Sequence, residues 1–531
     1  MRSTFSGLEI ARTGLTVSQL GLDVTGHNIS NVDTLGYTRQ RLVTTAYEPN
    51  STVGKFRPVS QALVGTGSVV KVLDQIRSSF LDRQYRTEES LFSYWEARTQ
   101  GLNYLQSQFE GVEGGTLNNS IQTFFARLTT EAMDTDSRDP RVILKQEAES
   151  LTFQFGMVYE RLIDLQQRQD VAVTTIVDEI NTIAQNIAVL NKSIYTYELN
   201  MNQIANDLRD KRNLLLDELS GIIDIDYSTS EDGKLTVKIG GEELVNHINV
   251  RTLDCRTEPN AIPEESYLVH VPYWTDSGDD LDFTNVQGGE LKANIDLRDN
   301  GNPSAPGIPH YIEQLNNLAR ALVQEINAVH RQGYTYPGAG ETSVTGVDFF
   351  HVDQIMGLVD DGTGTMIPGL VDDLQSVTAK NFRLSQAILD NVNNVASSSV
   401  LINNDPNSAG YNPQMGNNEN IRKLAEMIVK KDIGITIGGN NISIGGFDSY
   451  MTSIVVDVAT TLRHSKTVLA TKNTQLLDVD NQRTSISGVS LDEEMTNLIK
   501  YQHAYSGASR VITTMDEAID LLINRTGRVG L

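Results

Sequence analysis

"SGLEIARTGLTVSQLGLDVTGHNISNVDTLGYTRQR", Ser6 to Arg41, decides how the chain is read. Leu8, Leu15, Leu22 and Ile29 recur every seven residues, with Ala11, Ser18 and Thr25 three positions after the first three. This is a heptad row whose second position is small, so a neighbouring helix can approach closely. Ile10, Val17 and Val24 form another row, which at about 100° per residue lies on roughly the opposite side. A helix apolar on two sides has to be covered from two sides. The turn that follows, with Asn28, Asn31 and Gly36, is predicted to stop the helix, because Asn and Gly tolerate a left-handed C-cap.

The far end of the chain matches. Ser490 and Glu493 of "SLDEEM" have the spacing of a capping box that opens a helix. Leu491, Leu498, Tyr505, Ile512 and Ile519 then make one row, and Tyr501, Ala508, Met515 and Leu522 a second, with Glu494 as its polar exception. Two such helices at opposite ends of one chain are predicted to pack together.

Further helical patterns lie between them. Residues 72–112 carry Phe80, Tyr85, Phe92, Trp95, Leu102, Leu105 and Phe109. Residues 160–200 hold a seam of Ile176, Ile180, Ile183, Ile187, Leu190, Ile194 and Tyr197, and residues 311–332 repeat it with Ile312, Leu315, Ala319, Leu322, Ile326 and Val329. Another helix is predicted over 447–483. Together they read as a rod-like bundle. The β content falls in insertions. Ile222 to Val245 alternates around Asp232-Gly233 and Gly240-Gly241 as a meander, and 250–300 reads as strand-rich. Residues 335–445 are dense in Gly and Asn. A repeat, "GLVDD" at 357–361 and 369–373, flanks Gly362 and Gly364; its Asp spacing is not that of an EF-hand, so it reads as a solvated turn.

The fold class expected is mainly α with β insertions. An inner coaxial helical domain takes 1–45 with 488–531, and a helical bundle takes 46–220, 305–334 and 446–487. A β-rich domain takes 221–304, and a mixed outer region 335–445. At 531 residues two to four domains are expected, and 39% hydrophobic residues suffice for packed cores.

Composition excludes partner classes. With 43 Lys and Arg against 68 Asp and Glu, the net charge is −25. Phosphate repels such a surface, which argues against nucleic acid or anionic membrane. No run of about 18 apolar residues suggests membrane insertion, and Glu9 and Arg12 interrupt any apolar signal-peptide core. Cys255 is the one cysteine, so no intrachain disulfide forms.

A search for chemistry returns little. His27, His247, His270, His310, His330, His351, His464 and His503 never fall at metal-ligand spacing, and no nucleophile elbow or phosphate loop is present. "GTGSVV" at 65–70 is half of a dinucleotide fingerprint and reads as a turn. The acidic neighbours Asp372-Asp373 and Glu493-Glu494 point apart on a helix, and Glu493 is assigned to the cap. No catalytic, metal or cofactor site is assigned, and the chain reads as a structural protein, not an enzyme.

"HNISNVDTLGYTRQR", with Asn28, Ile29, Ser30, Asn31, Thr34, Gly36 and Tyr37, resembles the N-terminal signature of bacterial flagellar rod, hook and hook-associated proteins. Ser487 to Asn524 resembles the matching C-terminal signature. "NDLRDKRNLLLDELS" at 206–220 and "GGELKANIDLRD" at 288–299 are similar to the FlgK family of hook-associated proteins at the hook–filament junction. Gly507 and Ser509 depart from the family pattern inside the last helix, where a Gly costs about 1 kcal/mol relative to Ala.

The resemblance implies a flagellar tube subunit that joins hook to filament as a mechanical adaptor, outside the cell and exported without a cleaved signal peptide. It implies self-assembly, the hook protein below, a second junction protein above, and a cytoplasmic export chaperone on the C-terminal helix. The inner-tube residues would be Leu8, Ile10, Leu15, Val17, Leu22, Val24 and Ile29 with Leu491, Leu498, Tyr501, Tyr505, Ile512, Met515, Ile519 and Leu522. One apolar row would face the chain's own partner helix and the other a neighbouring subunit, leaving both termini unordered in a free monomer. The rivals are a secreted coiled-coil adhesin or effector, another flagellar axial protein, and a cell-wall hydrolase on an axial scaffold.

Overall fold

The computed structural model describes residues 6–47, 65, 67–110, 117–199, 204–230, 233–262, 265–360, 366–437 and 440–525. Helix α1 (Ser6–Ser30) opens the chain, and an antiparallel strand pair, β1 (Gln40–Ala46) and β2 (Ser68–Gln75), lies against it. The segment 72–75 is therefore strand, and the helix anticipated from residue 72 begins later. The tract Val69-Val70-Lys71-Val72-Leu73 is β-branched and suits a pleated strand. It also makes Ser68–Val70 of "GTGSVV" a strand; residue 66 lies outside the described residues.

Four helices build the first half of the rod: α2 (Ser79–Glu110), α3 (Leu117–Met133), α4 (Asp139–Glu198) and α5 (Asn206–Ile222). Pro140 sits in the first turn of α4, where its missing N–H is harmless. At 60 residues α4 runs roughly 90 Å. Its seam is buried at Ile176, Ile180, Ile183, Ile187 and Ile194, whereas Tyr197 is exposed. Phe80, at the start of α2, is also exposed.

The insertion after α5 is a meander, β3 (Asp226–Thr229), β4 (Leu235–Ile239), β5 (Glu242–Asn246) and β6 (Asn249–Val250), in sequential antiparallel order. Gly240 and Gly241 turn β4 into β5 with φ of 59° and 98°, a conformation that suits glycine. Asp232 lies outside the described residues. A hairpin follows, β7 (Leu253–Pro259) with β8 (Leu268–Trp274). Residues 250–300 are not strand throughout, since α6 (Glu290–Asp299) closes the segment, followed by α7 (Ile308–His330).

The "GLVDD" repeats are paired strands, not a solvated turn. Hairpin β9 (Gln354–Asp360) and β10 (Met366–Asp372) sets Gly357 opposite Gly369 and Val359 opposite Ile367. Each Gly-Leu-Val is a strand core once its copy lies alongside, which spacing to a metal could not reveal. Asp361, Gly362 and Gly364 lie outside the described residues. The short helices α8 (Gln386–Asp390) and α9 (Glu419–Glu426) and the hairpin β11 (Ile433–Ile437) with β12 (Asn440–Gly445) complete this region. The chain returns along α10 (Phe447–Ser487) and ends in α11 (Leu491–Asp520) with a π turn, Leu521–Arg525.

The described residues form two hydrophobic cores. The larger joins α2, α3, the first half of α4, α7 and α10 to Phe349, Phe350, Phe382, Ile433 and Ile435, so the Gly/Asn-rich region contributes apolar anchors to the bundle. The smaller packs the second half of α4 and α5 against the meander and Trp274. Helix α4 belongs to both.

Candidate subunit interface and its joint

Helices α1 and α11 pair antiparallel, in a register repeating every seven residues on both. Gly7 faces Met515, Gly14 faces Ala508, Gly21 faces Tyr501, and Asn28 faces Glu494. The Ala11, Ser18 and Thr25 row anticipated as the close-approach position is buried, as is Val24. The seam of α1 is thus Gly, Ala, Gly, Ser, Gly, Thr, Asn in steps of four and three. The glycines were missed because a reading by hydrophobicity follows the leucines. Their own spacing of seven was the available signal.

The leucine rows lie to either side. Leu8, Ile10, Leu15, Val17, Leu22 and Ile29 are half-buried in the isolated chain. On α11, Leu498, Tyr501, Ile512, Met515 and Ile519 are half-buried, while Leu491, Tyr505 and Leu522 are exposed. Glu494 is the one fully buried side chain of this 30-residue helix. Met495, Ile499, Val511, Leu521 and Ile523 are exposed besides.

Asn28 is not a left-handed cap. It lies within α1, and Gly36, at φ 75°, is the residue of this turn with positive φ. The 1%-exposed Asn28 amide instead closes a buried joint. Its Nδ2 donates to the Gln40 carbonyl (2.9 Å) and to Glu494 Oε2 (3.2 Å). Its Oδ1 accepts from the Gln40 backbone N–H (3.0 Å) and the Tyr37 hydroxyl (2.7 Å). Both donors and both lone pairs of the amide are thereby used. Asn31 turns back to the His27 carbonyl (2.9 Å), and Thr34 donates to Asn31 Oδ1 (3.2 Å). The Tyr37 hydroxyl is held protonated by burial and by the carboxylates of Asp207, Asp210 and Glu494.

The capping box at Ser490 and Glu493 does not form. Ser490 is the N-cap residue, but its side chain makes no cap bond. Glu493 reaches Arg39 instead, and Glu494 does the same: Arg39 Nε meets Glu494 Oε1 at 2.7 Å and Nη1 meets Glu493 Oε2 at 2.5 Å. The two acids converge because one guanidinium fork spans them. The Arg39 N–H also donates to the Ser487 carbonyl (2.9 Å). One cluster therefore pins both exits, from α1 into β1 and from α10 into α11. Next to it lies a cleft of about 380 Å³, walled by the Val32–Thr38 turn and by Arg77, Leu214 and Arg483. The other acidic pair divides, with Asp372 held on both oxygens by Arg331 (2.7 and 2.9 Å).

The family model described as the flagellar hook-associated protein FlgK helical domain matches residues 102–350, and that of the flagellar basal body rod FlgEFG protein C-terminal matches 481–525. Flagellar hook-associated protein 1 of Bacillus subtilis is 28% identical, with all of both chains covered. Its Escherichia coli namesake is 25% identical over 97% of this chain and 98% of its own. The chain carries the FlgK helical domain and is similar over its whole length to flagellar hook-associated proteins. It is a structural component of the flagellar hook–filament junction. The solved flagellar hook junction protein FlgK from Burkholderia pseudomallei shares the fold, at a TM-score of 0.56 and 14% identity, over 77% of this chain and 100% of that one.

Proposed function

We propose that this chain polymerises through α1 and α11 into the axial tube and serves there as a mechanical adaptor. The observation carrying this reading is α11 itself. A 30-residue helix with one buried side chain and with Leu491, Met495, Ile499 and Val511 exposed is left with much of its apolar surface uncovered. Copies of the same chain supply the missing cover, since both helices carry the same two-sided pattern. The interface residues are then Leu8, Leu15, Leu22 and Ile29 or Ile10, Val17 and Val24 on α1, with Leu491, Leu498, Tyr505, Ile512, Ile519 and Leu522 on α11.

Residues 1–45 with 488–531 form the inner layer in this reading, and the bundle and β-rich segments form the outer ones. The joint at Asn28, Arg39 and Glu494 sets the angle between them. The hook protein lies below, the second junction protein above, and a cytoplasmic chaperone covers the exposed α11 face before export, which proceeds without a cleaved signal peptide. The role is mechanical and needs no catalysis.

Electron microscopy of flagella from a deletion strain tests this. Hooks without filaments, with flagellin shed into the medium, are expected, and restoration by the intact gene but not by one lacking α11. Normal filaments on the deletion strain would refute the assignment.

A further inference from the structure

Most buried arginines in this molecule meet a carboxylate. Arg86 pairs with Asp217 (2.7 Å), Arg141 with Glu131 (3.1 Å), Arg298 with Asp170 (2.6 Å) and Arg320 with Glu313 (2.6 Å). Two do not among the described residues: Arg98, which donates to the Pro306 carbonyl (3.1 Å), and Arg212 of α5. Arg212 has no such anchor in the main chain. It is 7% exposed, and its one polar contact among the described residues is from Nη1 to Asn191 Oδ1 (2.9 Å). Its Nε is buried with no acceptor there, and Nη2, on the same edge of the fork, makes no hydrogen bond to the described residues. The acid closest in charge, Glu198, is committed to both donors of Arg209 (2.8 Å each) and to the Ala205 N–H (3.0 Å). Burying a guanidinium without a counter-charge is costly, because its hydration is lost and nothing replaces it.

The same spot gathers further donors. Asn191 Nδ2 donates to the His247 carbonyl (2.7 Å), so one amide ties Arg212 to the turn between β5 and β6. His247 is the non-glycine residue with positive φ (56°) among those described, and its buried Nδ1 has no partner there. The Tyr195 ring meets it edge-on at 5.3 Å. Burial first, then the charges of Lys234 and Arg212, hold the imidazole below its ordinary pKa. Arg212 on α5, the exposed Lys234 just before β4 and the unpartnered ring nitrogen of His247 in the β5–β6 turn thus act on one another, in a chain of net charge −25.

We propose that Arg212, His247 and Lys234 form an oxyanion site. The Nε–Nη2 edge of Arg212 takes two oxygens of a carboxylate or phosphate-class anion side by side, the geometry that guanidinium favours. Neutral His247 donates a third bond from Nδ1–H, and Lys234 adds charge at the rim. The same chemistry is available from a free inorganic anion or from a carboxylate side chain.

The test titrates the full-length chain with inorganic phosphate and, separately, with acetate, in chloride buffer at constant ionic strength, following melting temperature and heat of binding. Saturating stabilisation is expected, with apparent affinity at least tenfold weaker in Arg212→Met and several-fold weaker in the surface variant Lys234→Met. Arg212→Met should melt no lower than the parent in anion-free buffer, because it removes an unpaired buried charge. Saturation by phosphate alone supports the site and identifies a free tetrahedral anion; saturation by acetate supports it and identifies a carboxylate. Linear responses, the same in parent and Lys234→Met, overturn it. So does an Arg212→Met chain that is less stable without anion yet responds to anion like the parent.

Discussion

The Tyr501 ring fills the notch that Gly21 leaves in α1: a Cβ at Gly21 would stand 2.6 Å from Cδ1 and Cε1 of that ring. Gly14, one heptad earlier, leaves 3.9 Å to Ala508. Gly21→Ala therefore raises the intrinsic helicity of α1 by about 1 kcal/mol while forcing the helices apart at a cost of about 1–3 kcal/mol. Peptides or chains carrying it should show weaker pairing of α1 with α11, whereas Gly14→Ala should strengthen the pair. Double-electron resonance between spin labels on the two helices reads both.

Asn28→Ala removes an amide with four buried bonds and leaves the Gln40 N–H and Glu494 short of partners. A loss of about 2–4 kcal/mol in the joint is expected, from unsatisfied groups at about 1–3 kcal/mol each. Arg39→Met strands Glu494 as a buried charge and should cost about 3–5 kcal/mol. The Arg39→Met, Glu494→Gln double variant should recover much of that. Proteolysis at the Gly488 linker is the readout, and an unrecovered double variant would refute the pairing.

His330 is fully buried and locked neutral: Nδ1 meets the Val347 carbonyl (2.6 Å) and Nε2 accepts the Ala396 N–H (2.9 Å). Burial lowers its pKa to about 4. The unfolded chain therefore takes up the proton first, so this contribution is complete above pH 6.5 and lost as pH falls from there toward 4. By pH 5 the loss is about 2 kcal/mol. Glu131, raised to about 7 chiefly by burial, acts in the opposite sense over pH 7 to 4.5. Urea midpoints of Glu131→Gln should consequently fall more steeply with acid than those of the parent.

Substituting Leu491, Met495 and Ile499 by Glu together changes an exposed strip of α11. The free chain should melt within about 0.5 kcal/mol of the parent, as surface changes usually do. Polymerisation, followed by light scattering or by filament restoration in the deletion strain, should be abolished. Amide exchange should also find α1 residues 7–24 weakly protected in the free chain and α7 strongly protected.

Gly507 has open space where its Cβ would stand. Gly507→Ala should add about 1 kcal/mol to α11. If it also blocks assembly, the space belongs to a neighbouring copy.

The sequence made the terminal pairing legible because heptads report a partner's presence without naming it. It did not disclose the seam, since Gly7, Gly14 and Gly21 carry no hydrophobic signal and count locally as helix weakeners. Asn28 reads as a cap in sequence because Asn beside a helix end usually acts locally; its decisive partner, Glu494, is 466 residues away. Glu493 was drawn from its cap by Arg39 for the same reason. The strand at 72–75 was masked by the apolar α2 pattern next to it. Arg212 showed nothing unusual within a helical motif, because an absent counter-ion is visible only in three dimensions.

Helix α1 closes on α11 across 466 residues of sequence, so α1 has no mate until α11 has been synthesised. Bringing together segments so far apart in sequence has a high loop-closure cost, which intervening structure lowers, and this places the contact late in folding. A prematurely terminated copy would present α1 with its glycine groove empty, and the groove itself would then report that the molecule is unfinished.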